Sequence, residues 1–362
     1  MTIIISEILF EPTFECNLRC KYCYLGNARK QRRTTDWSYV TDAARRLTDK
    51  FLAEDYRVRN VLYHGAEVTV LPPEVLADVC NIFDEIAPDD YGFQAIQTNG
   101  TLITPEYIET FESRLHDGIR LHYSISVDGP EKFNDTMRGR GTYEKAMANA
   151  RNLLKKGYPV HLFGCFTPEM FAHLDDMKSW IQARQAEGFI WKFQIASAPF
   201  NLSDEQQVKL AYWLDENDWI RRFNTLVPEM CGNFGNECDV NHFCADGLYS
   251  PCDRQTGEIV PLWLDKPVSR LLEMRQGAFA GTPTSPQCQY CPVRPVCHSG
   301  CPKFRVDGRA VDCMLKKTIY RIRANKLGIP MHKAIRLYQG TSNFNPPNDG
   351  IPTIAEIRRK GA

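Results

Sequence analysis

Glu15-Cys16-Asn17-Leu18-Arg19-Cys20-Lys21-Tyr22-Cys23-Tyr24 (ECNLRCKYCY, residues 15–24) places three thiols within eight residues. The run follows an apolar, alternating start, "MTIIISEILFEPTF", which reads as a first core strand. No fourth thiol is near; the next cysteine is Cys80. An iron–sulfur cubane has four iron corners, and each wants a ligand. Three thiolates leave one iron open, and an open metal position is where a substrate or cofactor binds. On spacing alone, the alternative is a zinc or structural cluster site completed by a ligand from elsewhere.

The surrounding chain favours metal over disulfides. It has 362 residues, 43% hydrophobic and 24% charged, which suits a globular protein of roughly two domains. Fourteen cysteines are many for this length, and they are clustered as in metal sites, not spread as in a stapled scaffold. A disulfide framework would need a secreted context. The first residues lack the basic start and small-residue cleavage site of a signal peptide. No apolar run approaches the roughly 18 residues of a membrane span. A cytoplasmic location is therefore expected. Lys plus Arg number 44 and Asp plus Glu also 44, so no long-range attraction draws the chain to nucleic acid or an anionic membrane. Neither is expected as a partner.

Apolar strands alternate with amphipathic segments through the first two thirds. Strands are expected at 6–13, 59–64, 92–98, 120–126, 159–165 and 189–195. Helices are expected near 37–54, 73–86, 104–115, 142–157, 169–187 and 203–223, with Gly157 and Gly188 at helix C-terminal ends. Six β–α repeats imply parallel strands with right-handed crossovers. The polar motifs all fall just after strand ends, which favours a partial (β/α)6 barrel of TIM type, with one active face, over a flat sheet.

Residues 1–225 are assigned to that barrel. Residues 226–328 form a small loop-rich region, and Cys231 to Cys313 hold nine of the fourteen cysteines. Such a region buries little apolar surface, so metal ligation is expected to order it. Residues 314–328 read as a basic helix. The tail, 329–362, is polar, with a short helix at 353–360.

Cys16-x3-Cys20-x2-Cys23 resembles the CxxxCxxC loop of the radical S-adenosylmethionine (SAM) superfamily. That resemblance implies a 4Fe–4S cluster whose open iron binds the amino and carboxylate groups of SAM. It also implies reductive cleavage of SAM to a 5′-deoxyadenosyl radical, which abstracts a substrate hydrogen. His64-Gly65-Ala66-Glu67 resembles the family's GGE segment at the SAM amino group, with Ala66 in place of the second Gly. Gln97-Thr98-Asn99-Gly100 ends the third strand. Ser126, Asp128, Arg138 and Gly141-Thr142 resemble the family's SLDG…HD…R…G segment, with Asn134 where a His is usual; Thr142 also reads as a simple N-cap. The resemblance assigns Tyr22, Gly65, Ala66, Glu67, Asn99, Ser126 and Arg138 to SAM binding. Tyr24 and His64 are expected on the same face, touching substrate or packing around the metal.

Cys231, fifteen residues, Gly247, four residues and Cys252, then Cys288-x2-Cys291-x5-Cys297-x3-Cys301 and Cys313, resemble the SPASM extension of this superfamily. The extension implies two auxiliary 4Fe–4S clusters. Seven cysteines are one short of eight ligands; Cys238 is preferred for the eighth place, with Cys244 its rival. By resemblance, Cys231, Cys238, Cys252 and Cys301 hold the first auxiliary cluster, and Cys288, Cys291, Cys297 and Cys313 the second. Zinc in a small ribbon is the alternative for this spacing. Cys80 and Cys165 read as buried free thiols.

Asp253 follows Cys252. In sulfatase-maturing members of the family an Asp at that place takes a proton, and Asp253 is the candidate catalytic base; a turn residue is the other reading. The resemblance implies an oxidoreductase that modifies a side chain of a peptide or protein, as in crosslinking during ribosomal peptide maturation. Its electron donor would be a flavodoxin or ferredoxin. Two alternatives keep the chemistry: an anaerobic sulfatase-maturing, formylglycine-generating enzyme, and radical modification of a small molecule. With the cysteine loop starting at Cys16, leader binding is expected to use the barrel, the tail or another protein.

Overall fold

The computed structural model describes residues 2–23, 25, 36–88, 92–220, 241–245, 263, 266–271, 284–297, 299–300, 305–339 and 351–361. Six strands, β1 (Ile3–Glu11), β2 (Tyr56–Tyr63), β3 (Phe93–Thr98), β4 (Leu121–Ser126), β5 (Val160–Phe166) and β6 (Ile190–Ile195), fall where the alternating runs predict them. From β2 to β6, each pairs in parallel with the strand before it. A parallel pair needs a long crossover, and repeated right-handed crossovers between neighbours put every helix on one face. The sheet is then a partial barrel, with an interior on its other face.

β4 shows the two faces. Leu121, Tyr123 and Ile125 are buried in the main core, while His122, Ser124 and Ser126 alternate with them and stay partly exposed. The crossover helices are α1 (Ser38–Ala53), α2 (Pro73–Asp84), α3 (Pro105–Arg114), α4 (Glu131–Arg138), α5 (Thr142–Lys156), α6 (Pro168–Phe171), α7 (Leu174–Ala186) and α8 (Asp204–Glu216). Gly157 ends α5 in the left-handed conformation at φ +100°, as expected of a helix C-terminal glycine.

The structure departs from the sequence reading in five places. A seventh strand, β7 (Asn241–Cys244), pairs in parallel with β1, from Ile8 opposite Asn241 to Glu11 opposite Cys244. Four residues are too few to carry a period. The helix expected over 169–187 is two, α6 and α7, broken at Ala172–His173. The short, strongly polar α4 was not expected. Thr142 is the first residue of α5 and not its cap; Gly141 is the cap residue, and the Thr142 hydroxyl donates to Gly139 O at 2.7 Å. The tail holds a further helix, Met331–Gln339.

Beyond the barrel come α9 (Arg294–Cys297), a hairpin of β8 (Arg305–Val306) and β9 (Arg309–Ala310), α10 (Cys313–Leu327), α11 (Met331–Gln339) and α12 (Ile354–Gly361). α10 packs along α8, and one hydrophobic core runs from the barrel helices to Leu315, Ile319, Ile322, Ile354 and Ile357. Ile354 N–H donates to Ile119 O at 2.8 Å, so α12 returns to the barrel. Among the described residues no helix is long and apolar enough to cross a membrane.

The end of the barrel interior nearest the strand N-termini is polar. The rings of Phe93, His122 and His161 lie in a row, with centroids 4.9 and 5.1 Å apart. Burial pushes the Glu7 carboxyl up to about 7, and Lys192, across the interior on β6, opposes that rise.

Candidate metal centre

The cysteine loop leaves the C-terminal end of β1 with three half-buried thiols outside any disulfide, Cys16, Cys20 and Cys23. Its backbone is tied down locally. Leu18 N–H donates to Cys16 Sγ at 3.4 Å, Cys23 N–H to Cys20 O at 3.2 Å, and Lys21 N–H to Met137 O on α4 at 2.9 Å. Burial pushes the Cys16 thiol up to about 11; the Leu18 N–H opposes this and the Glu67 carboxylate adds to it. Metal binding at such a thiol has to displace its proton.

The segment after β2 backs this loop. Gly65 has φ +132°, and a Cβ there would lie 3.2 Å from Thr13 O, so both backbone and space ask for glycine. Ala66 N–H donates to Thr13 O at 3.4 Å and Glu67 N–H to Glu15 O at 3.0 Å. Ala66 is not among the residues at positive φ, so its methyl adds no backbone strain and the departure from two glycines is tolerated.

The Glu67 carboxylate is 1% exposed and fully engaged. It accepts from Thr69 N–H at 3.0 Å, Thr69 Oγ1 at 2.6 Å, Thr98 Oγ1 at 2.5 Å and Asn99 N–H at 2.7 Å. Glu67 thus joins the ends of β2 and β3. Asn99 carries the connection onward: Nδ2 donates to Asn17 Oδ1 at 2.8 Å, within the cysteine loop, and Oδ1 accepts from Thr101 N–H at 2.9 Å. Ser126 is half-buried at the end of β4.

Asp128, two residues past β4, is the hub that sequence reasoning missed as a site residue. It is fully buried and accepts from the Tyr22 hydroxyl, from Arg138 Nε at 2.9 Å and Nη2 at 3.0 Å, and from Cys165 N–H at 2.9 Å. Asn134 accepts from Asp128 N–H at 3.2 Å and donates to Thr142 Oγ1 at 2.9 Å. Asn134 also donates to Asp135 Oδ1 at 3.2 Å and thereby fills its place in the segment with hydrogen bonds. Burial works against charge on Arg138, but Asp128, with Tyr22 and Cys20 adding to it, holds the guanidinium well above its usual range. Burial likewise raises Tyr22 and keeps it a phenol. The Arg138 guanidinium carbon lies 5.5 Å from the Tyr22 ring centroid. Tyr22, between two of the cysteines, is thus anchored to the end of β4. The available signal was Asp128 ten residues before Arg138 within one motif.

Cys288, Cys291, Cys297 and Cys313 line one surface hollow with Lys316 and Lys317. Cys288 ends a short 3-10 turn, Cys297 ends α9 and Cys313 begins α10. Burial raises the Cys297 thiol; Lys316 and the Ser299 N–H oppose that. Among the described residues no three His, Cys, Asp or Glu side chains converge on a single ion. Zinc would need its sulfurs about 2.3 Å from one point, whereas a cubane takes each thiolate on a separate iron. Four soft thiols around one hollow are a donor set suited to a thiolate-bound metal centre.

Cys244, the rival eighth ligand, is fully buried on β7, and its thiol donates to Glu11 Oε2 at 3.3 Å. Cys80 and Cys165 are buried free thiols, as their positions on a helix and a strand suggest. His64 is half-buried at the end of β2, where its N–H donates to Phe10 O at 3.1 Å. Tyr24, Cys231, Cys238, Cys252, Asp253 and Cys301 lie outside the described residues.

Residues 10–181 match the family model described as the Radical SAM superfamily. The chain thus carries a radical SAM domain, and that superfamily uses SAM with a 4Fe–4S cluster. The cysteine-type anaerobic sulfatase-maturating enzyme of Clostridium novyi (strain NT) is 21% identical over 337 residues, 82% of this chain and 87% of that protein. The structure of anSMEcpe with bound AdoMet matches at TM-score 0.70 and 16% identity, over 92% of this chain and 99% of that one. SuiB of Streptococcus suis, bound to precursor peptide SuiA, matches at TM-score 0.60 and 15% identity, over 87% of this chain and 76% of that one. At these identities the two structures show a shared fold. By sequence the chain is similar to an anaerobic sulfatase-maturating enzyme over most of both lengths.

Proposed function

We propose that the chain is a radical SAM oxidoreductase with two auxiliary clusters that abstracts hydrogen from a side chain of a peptide, as in crosslink formation during ribosomal peptide maturation. The observation that carries this is the half-buried three-thiol loop at the mouth of the barrel, tied to the ends of β2, β3 and β4 by Glu67, Asn99 and Asp128. Cys16, Cys20 and Cys23 hold the cluster. When bound, cluster and SAM together supply the 5′-deoxyadenosyl radical that takes the substrate hydrogen.

The protein's own part is placement. Gly65 and Ala66 offer backbone at the mouth, and Ser126 offers a hydroxyl there. Arg138 keeps a buried positive charge for the SAM carboxylate, with Asp128 fixing its direction. Tyr22 braces the loop, while Glu67 and Asn99 hold the frame. Cys288, Cys291, Cys297 and Cys313 hold the second auxiliary cluster and Cys231, Cys238, Cys252 and Cys301 the first. The burial of Cys244 on β7 against Glu11 supports Cys238 as the eighth ligand. Asp253 serves as base for the proton released on oxidation. Electrons come from a flavodoxin or ferredoxin in the cytoplasm, and the division 1–225, 226–328 and 329–362 separates barrel, cluster region and tail.

The precursor peptide bound to SuiB supports a peptide substrate. The second reading, formylglycine formation on a sulfatase, is favoured by the Clostridium novyi relative, which this chain matches over most of its length. Mass spectrometry separates the two. Anaerobic enzyme, SAM and reductant are incubated with a peptide encoded beside the gene and with a sulfatase peptide. Loss of a hydrogen pair from the first supports crosslinking, and an aldehyde in the second supports formylglycine. No 5′-deoxyadenosine with either would reject both.

A further inference from the structure

Helix α10 begins at Cys313, and Asp312 at its cap position makes no side-chain cap hydrogen bond. The missing cap comes from the barrel. Gln207 on α8 is 2% exposed. Its Oε1 accepts from Met314 N–H at 3.0 Å and Leu315 N–H at 3.1 Å. Its Nε2 donates to Val311 O at 2.9 Å and Leu202 O at 3.0 Å. A primary amide has two donor hydrogens and an oxygen with two lone pairs, so every polar valence of Gln207 is used.

Three of these bonds grip the chain on both sides of Cys313, at Val311 before it and at Met314 and Leu315 after it. They span 104 to 108 residues of sequence. The first N–H groups of a helix have no partner within it, and burying them unmet is costly. An amide from α8 therefore sets where α10 starts, and with it where the Cys313 thiol stands in the hollow it shares with Cys288, Cys291 and Cys297. α10 also packs along α8, and its Leu315, Ile319 and Ile322 belong to the main hydrophobic core, so the helix has apolar anchorage independent of that amide.

We propose that Gln207, a barrel residue, is the positioning residue for the second auxiliary cluster, fixing its ligand Cys313 by capping α10. This rests on reading those four cysteines as the ligands of one 4Fe–4S cluster. The test uses full-length protein reconstituted anaerobically, as wild type, Gln207→Leu, Gln207→Glu and Cys291→Ala. Iron content, the electron paramagnetic resonance spectrum of the reduced clusters and SAM affinity are measured on each.

Wild type should hold about twelve irons, three clusters of four. Gln207→Leu should fall to about eight irons, lose one cluster's signal and bind SAM within about twofold of wild type. Gln207→Glu keeps an acceptor for the two N–H groups but loses the donor to Val311 and Leu202. It should keep its iron yet show an altered signal for that cluster alone. If Gln207→Leu does not fold, the Gln207→Glu signature decides. Wild-type iron and spectra in both Gln207 variants, while Cys291→Ala loses about four irons, would overturn the role of Gln207. Undiminished iron in Cys291→Ala would instead overturn the cluster reading, and this inference with it.

Discussion

The loop of Cys16, Cys20 and Cys23 is built from polar side chains that meet each other's needs. Glu67, Asn99 and Asp128 come from three neighbouring strand ends, and each is engaged by named partners within the protein. The hollow of Cys288, Cys291, Cys297 and Cys313 is made differently. Its walls are a 3-10 turn, a four-residue helix and the first turn of α10. Among the described residues, its links to the barrel include the α10–α8 packing, the Gln207 amide and the Arg309–Asp204 ion pair at 3.1 Å. A parallel sheet brings distant residues together at its strand ends at no extra cost in chain entropy, so the first site is framed by the fold. Short turns bury too little to order themselves, so on the proposed reading the second is completed by the cluster it holds.

The contrast can be broken at its strongest point. Cys20→Ala should abolish 5′-deoxyadenosine formation, read by chromatography, while iron in the auxiliary clusters remains. Asp128→Asn should come next. It leaves the buried Arg138 without a full countercharge and turns one acceptor of the hub into a donor. Breaking a buried pair costs about 3 kcal/mol or more, so chemical denaturation should show a loss of that order. SAM binding should weaken by about tenfold or more, for an interaction worth over 1.4 kcal/mol.

Removing metal sharpens the same contrast. After chelation, hydrogen exchange should rise by about tenfold or more in 284–300 and in the first turn of α10, as local opening there approaches zero cost. Strands β2 to β5 should keep their protection. Equal loosening of both regions would refute the distinction.

The smallest effect concerns the barrel floor. The folded protein holds Glu7 protonated up to about 7, while the ordinary value is 4.5. The unfolded chain therefore releases this proton first as pH rises. Stability falls between those two values, and above them the deficit is complete. Glu7→Gln should raise the melting temperature by a few degrees at about pH 8 and hardly at all at about pH 4.

Much of this architecture was written in local patterns. The six long strands and most helices follow from alternation, apolar periodicity and glycine at helix ends. The cysteine loop and the run from Cys288 to Cys313 follow from spacing. What was not legible has a common cause. Asn241–Cys244 becomes a strand only because β1 offers it an edge. The eight residues of α4 are mostly polar, with Phe133 and Met137 giving too short an apolar stripe to count. Asp128 and Gln207 carry the polar linkages of the two sites; Asp128 could be seen in one motif with Arg138, but an isolated Gln shows nothing of partners a hundred residues away. Glu67 could be named from its motif; that its carboxylate is consumed by Thr69, Thr98 and Asn99 needed the fold.

The most direct test of the central claim is Mössbauer and electron paramagnetic resonance spectroscopy of the anaerobic protein, with and without SAM. One cubane of the three should change its spectrum when SAM is added, because one of its irons has no thiolate, and Cys20→Ala should erase that change. Zinc in place of iron, or a first cluster whose spectrum ignores SAM, would contradict the account.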